Sequence, residues 1–127
     1  MSALTRSFWL ALFCWAATIL WLSSLPPQEL PDAAFLAWDK INHILAYALG
    51  GWLAASALRL SRPSASAVSR IIGAVILIAV FGVLDEAFQT STPGRTGGSL
   101  SDWVADVFGA VVGALASVPT HRLFAGR

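Results

Sequence analysis

Acidic side chains and a histidine recur at the ends of apolar segments in this chain. Asp39, Lys40, His43 and Tyr47 open one segment, Asp85, Glu86 and Gln89 close the next, and Asp102 and Asp106 open the last, with Arg95 in the polar stretch between. A charge at the centre of a membrane span costs about 2.5 to 3.5 kcal/mol on insertion scales. Ionisable groups kept at span ends therefore signal a site, or a polar network that fixes helix packing. Five carboxylates, Asp39, Asp85, Glu86, Asp102 and Asp106, face only Lys40, Arg95 and a protonated His43. Several chemistries are open to such a set. Clustered carboxylates with one imidazole suit a divalent cation such as Mg, Mn, Ca or Zn, although no H-E-x-x-H spacing occurs. A carboxylate pair with His43 as proton carrier suits acid/base catalysis on an envelope lipid, with His43, Glu86 and Asp102 as candidate catalytic groups. Lys40 and Arg95 suit an anionic head group, Arg through its planar fork, while carboxylates and Gln89 contact a sugar or peptide part. The bland alternative is glue: Asp39 and Lys40 anchor the second helix, and His43, Glu86, Gln89 and Asp102 hydrogen-bond between helices. No serine-triad or nucleophile-elbow pattern is present.

The elements that must position these groups are membrane helices. Apolar residues make up 57% of the chain, mean hydropathy is +0.71, and no long polar segment remains to form a separate soluble domain. A bilayer core about 30 Å thick needs around 20 helical residues, and four segments qualify, at about 7–25, 41–60, 70–90 and 102–118. The runs lack the alternation of a barrel strand, so the expectation is an all-α, four-helix polytopic membrane protein forming one domain over 1–127. Read as a secretory signal, the first run lacks a convincing small-x-small cleavage site after it. The single cysteine, Cys14, excludes an intramolecular disulfide or a cysteine metal cluster. Scattered arginines and a net charge of +1 point away from nucleic acid.

Arg6, Arg59, Arg62, Arg70, Arg122 and Arg127 fall on one side of the four spans, and only Lys40 and Arg95 on the other. By the positive-inside rule both termini are expected in the cytoplasm of a bacterial inner-membrane protein, and the acidic span ends outside. Trp38 and Trp103, with Trp21 in support, should mark the outer interface, and Trp9 the inner one. Residues 26–38 are proline-rich and acidic, as in an extended or turn-rich loop. Residues 91–101 are dense in glycine and hydroxyls, so the backbone can approach a ligand or fold back, and Ser99 or Ser101 can cap the last helix.

Helical spacing decides which groups meet. Asp39, His43, Tyr47 and Gly50 continue near one face, Gly82, Glu86 and Gln89 share another, and Asp102, Asp106, Gly109 and Gly113 form a stripe. Gly109-x-x-x-Gly113 lets a neighbouring helix come close and brings the in-phase carboxylates against other helices. His43, Glu86, Gln89, Asp102 and Asp106 are expected to converge.

Asp39-Lys40-x-x-His43-x-x-x-Tyr47, then Glu86-x-x-Gln89, Pro93-Gly94-Arg95 and Ser101-Asp102 followed by Gly109-x-x-x-Gly113 resemble the ordered signature of the VanZ-like family of small bacterial membrane proteins. The likeness covers roughly residues 38–114. The ligand-binding candidates read from residue chemistry and placement, Asp39, Lys40, His43, Tyr47, Glu86, Gln89, Arg95, Asp102 and Asp106, all fall within it. The likeness implies a part in tolerance of teicoplanin-type glycopeptides, and a lipid-linked or glycopeptide ligand in the cell envelope. The family usually carries Asn where this chain has Asp106, so the site here is the more acidic.

Overall fold

A computed structural model describes residues 1–30 and 39–125, with side chains described in 1–30 and 40–121. Trp38, Arg127 and the side chains of Asp39 and Arg122 lie outside what the structure describes. Four helices follow one another: α1 (Ala3–Ser23), α2 (Asp39–Ser61), α3 (Ala67–Gln89) and α4 (Leu100–Ala125). A short 3-10 turn, Pro27–Glu29, follows α1. Each helix is long and apolar enough to cross a bilayer, which makes the chain a multi-pass membrane protein with an all-α fold.

The helix ends follow local chemistry. Ser2 and Ser66 cap α1 and α3 by accepting from the Thr5 and Ser69 amides. Ser99, rather than Ser101, caps α4, its hydroxyl accepting from the Asp102 amide at 3.2 Å. The last helix outruns the expected 102–118 because Pro119 does not stop it. Proline removes one backbone donor, a loss that membrane helices tolerate, and one residue on the Thr120 hydroxyl donates to the Ala116 and Ser117 carbonyls of the same turn.

The bundle is apolar outside and small or polar inside, the distribution lipid favours. Leu10, Phe13, Leu45, Leu49, Ile76, Val80, Leu84, Val104, Phe108 and Leu115 face outward, while Ala54, Ala57, Ala74, Ala110, Ala114, Ser56 and Asp106 are buried. Without a hydrophobic drive between helices, close backbone packing takes over. The pair α2 and α4 shows it most. Its helices run parallel, and a Cβ on Gly109 or Gly113 would collide with the Ile44 or Ala48 backbone of α2, and one on Gly51 with Ala110 of α4. The Gly109 and Gly113 stripe is thus a helix contact, as its spacing predicts.

Indoles also fasten the helix seams instead of forming only interfacial belts. Trp9 donates to Ser61 at 2.8 Å, Trp15 to the Ala46 carbonyl at 2.9 Å, Trp52 to Thr120 at 3.1 Å and Trp103 to the Ala79 carbonyl at 3.0 Å. Each of these bonds joins two helices, so the ring is held by a partner on another helix as well as by its amphipathic preference. Trp21 alone among the described tryptophans projects outward with more than half its surface exposed.

Candidate functional site

The parallel run of α2 and α4, antiparallel to α3, brings the start of α2, the end of α3 and the start of α4 to one end of the bundle. Two polar groups form there, on either side of α3.

The first joins α2, α3 and α4. His43 Nδ1 donates to Asp106 Oδ1 at 2.6 Å. Glu86 Oε2 accepts from the backbone amides of Gly98 at 3.1 Å and Ser99 at 3.0 Å. Ligand atoms of His43, Glu86 and Asp106 all lie within 4.8 Å of one another. Asp106 is fully buried and Glu86 is 6% exposed, yet Asp106 Oδ2 and Glu86 Oε1 have no hydrogen-bond partner. Buried polar atoms are nearly always bonded, so two orphaned carboxylate oxygens in one cluster single it out from the rest of the bundle.

The glycine loop makes this arrangement possible. Gly94 and Gly98 both take φ +79°, which side chains rarely tolerate. A Cβ on Gly97 would strike the Gln89 and Thr90 backbone. The loop therefore folds back over the end of α3, one of the two roles its composition allows, and turns two amides onto Glu86.

The second group joins α1, α2 and α3 around Asp85, which is 1% exposed. Ser23 donates to Asp85 Oδ1 at 2.5 Å, Tyr47 to Oδ2 at 3.0 Å and Gln89 to Oδ2 at 3.3 Å. Every oxygen is satisfied. Thr92 donates to the Ser23 carbonyl at 2.9 Å and Arg95 Nη2 to the Leu22 carbonyl at 3.0 Å. These bonds satisfy two carbonyls at the end of α1, where a cation is also favoured by the helix dipole.

The expected convergence is thus divided. His43, Glu86 and Asp106 meet. Gln89 turns instead to Asp85 and Ser23 because, at 100° per residue, it lies about 40° from Asp85 and about 60° from Glu86 around α3. Tyr47 stacks loosely beside His43, ring centroids 6.4 Å apart, but its hydroxyl serves Asp85. Asp102 sits at the rim, in an ion pair with Lys40, which also bonds Ser101. Arg95 is turned onto α1. Ser23, Thr92 and the bonding role of Asp85 escaped notice in the sequence. The spacing of Asp85 four residues before Gln89 was the available signal; nothing local singles out Ser23 or Thr92.

Chemically, the first group offers one imidazole and two carboxylates. It can receive a cation, exchange protons, or accept hydrogen bonds from a donor-rich ligand. No family model, curated protein or solved structure matches the chain.

Proposed function

We propose that the chain is a VanZ-like protein of the bacterial inner membrane, with both termini in the cytoplasm. In this reading it recognises the head of an anionic envelope lipid or a glycopeptide-like ligand at the external end of its bundle. Its contribution would be to cell-wall homeostasis or teicoplanin-type tolerance. The observation that carries this reading is the pair of orphaned carboxylate oxygens, Glu86 Oε1 and Asp106 Oδ2, beside His43. Such acceptors match the hydroxyl and ammonium donors of a sugar–peptide head group. Lys40, more than half exposed at the rim, supplies positive charge for an anionic part.

A second reading, an enzyme acting on a lipid-linked envelope substrate, has its own support. An imidazole oriented by a carboxylate at 2.6 Å, with a further carboxylate nearby, has the parts of an acid/base centre.

One experiment separates the two. Native mass spectrometry with lipid-linked cell-wall precursors should detect a complex with the wild-type protein that Asp106→Asn weakens. Glu86→Gln should keep ligand but stop turnover in an enzyme, while in a binder it should alter affinity alone. A precursor complex that neither substitution affects would remove the site from the function. Reporter fusions at the termini and a tag near Gly97 check the orientation: an external C-terminus contradicts it.

A further inference from the structure

The geometry points to a divalent transition-metal site, Mn²⁺ or Zn²⁺, formed by one ring nitrogen of His43 and a carboxylate oxygen from each of Glu86 and Asp106.

Charge balance is the first argument. Two ionised carboxylates and a neutral imidazole carry a net charge of about −2 into a region where an unpaired charge costs several kcal/mol. A divalent cation brings that to zero and gives a partner to the two orphaned oxygens. A bound cation is commonly the largest charge in such a cluster and sets its electrostatics. Lys40 serves Asp102 and Ser101 at the rim, and Arg95 serves the end of α1.

Donor chemistry is the second argument. One nitrogen and two oxygens suit a borderline first-row ion better than Ca²⁺ or Mg²⁺, which favour all-oxygen sets. The sole cysteine, Cys14, is exposed on α1 and takes no part. Ligand bonds of about 2.1 Å place neighbouring ligand atoms roughly 3 to 3.5 Å apart. Atoms already within 4.8 Å of one another need approach by only a little over an ångström.

The surroundings supply the outer support that metal sites use. The Gly98 and Ser99 amides hold Glu86 Oε2 and leave Oε1 unpartnered. His43 Nδ1 and Asp106, already 2.6 Å apart, are near enough to share one ion once the proton between them leaves. Three protein ligands leave at least one coordination position open, and the His43 side chain keeps 15% of its surface exposed, giving the cluster an edge toward the end of the bundle. An open position on such an ion receives phosphate or carboxylate oxygens, which the bare acidic cluster would repel. The metal site stands on the cluster alone; with the ion in place, an envelope ligand would meet the ion rather than the two bare oxygens.

The test uses the full chain in lipid nanodiscs, stripped with chelator and titrated with Mn²⁺ and Zn²⁺. One ion should bind per chain. Glu86→Gln and Asp106→Asn should each lower affinity by about 100-fold or more, while Asp85→Asn, in the neighbouring group, should leave it within a few-fold. Pulsed EPR of the bound Mn²⁺ should show nitrogen coupling that His43→Gln removes and His121→Gln retains. Absence of saturable binding or of nitrogen coupling in the folded wild-type protein would overturn the inference without using a variant. Unchanged affinity in Glu86→Gln and Asp106→Asn, or an equal loss in Asp85→Asn, would overturn it as well. Saturable metal binding with no precursor complex would leave this site standing and remove the lipid reading.

Discussion

Asp85 and Asp106 are both buried acids at the same end of the bundle, yet they stand in opposite circumstances. Asp85 is surrounded by donors from three helices, Ser23, Tyr47 and Gln89, so both oxygens are bonded. Asp106 has one bonded oxygen and one orphan, and Glu86 repeats the pattern beside it. A saturated buried acid holds a bundle together, because removing it strands its donors. An unsaturated one weakens the bundle unless something else completes it. Glue and site can therefore lie on adjacent residues of one helix, Asp85 and Glu86, and be told apart by their partners rather than by their burial.

The sharpest way to break the comparison is to part α2 from α4, since the metal-type cluster straddles that seam and the Asp85 group does not include α4. Gly113→Val should cost about 3 kcal/mol or more, because its side chain would meet the Ala48 backbone, which cannot move without shifting the helix. Unfolding in mixed micelles measures the loss, and ligand or metal binding at His43 should vanish in whatever folded fraction remains.

Next in size is the contrast between the two acids themselves. Asp85→Ala should destabilise by about 2 to 3 kcal/mol, leaving the buried Ser23 and Tyr47 hydroxyls without their acceptor and Gln89 with one fewer. Asp106→Asn should stay within about 1 kcal/mol of wild type, since an amide oxygen still accepts from His43 and an unpaired charge is removed. Equal losses in the same unfolding assay would make both groups structural and dissolve the distinction.

The smallest effects sharpen the boundary of the glue. Tyr47→Phe removes one donor to Asp85 and should cost about 1 kcal/mol, with binding at His43 intact. Arg95→Ala should cost about 1 kcal/mol or less through its bond to the Leu22 carbonyl. A loss of precursor binding in Arg95→Ala at unchanged stability would instead return this arginine to the recognition site, where its loop position first suggested it.

Composition and hydropathy alone were enough for the membrane class, the all-α fold and the four spans, because bilayer thickness and helical rise convert an apolar run directly into a crossing. Helical period was also enough for the Gly109 and Gly113 contact, but it put Gln89 and Asp102 with His43, Glu86 and Asp106, and only the last three meet. Span ends shifted by a few residues, since caps such as Ser2 and Ser66 and a tolerated Pro119 are not part of the hydropathy signal.

What the tertiary structure decided was the choice of neighbours. Asp85 and Glu86 differ by about 100° around α3, so one meets α1 and the other α4, and only the rotation of the packed helix settles which. Gln89 falls between them, and its allegiance to Asp85 depends on where Ser23 arrives from another helix. Arg95 and Thr92 bind α1 carbonyls more than sixty residues away in the chain. Local pattern specifies which residues share a helix face, but satisfaction of a buried oxygen is a property of all the helices around it, and it exists only once they have packed.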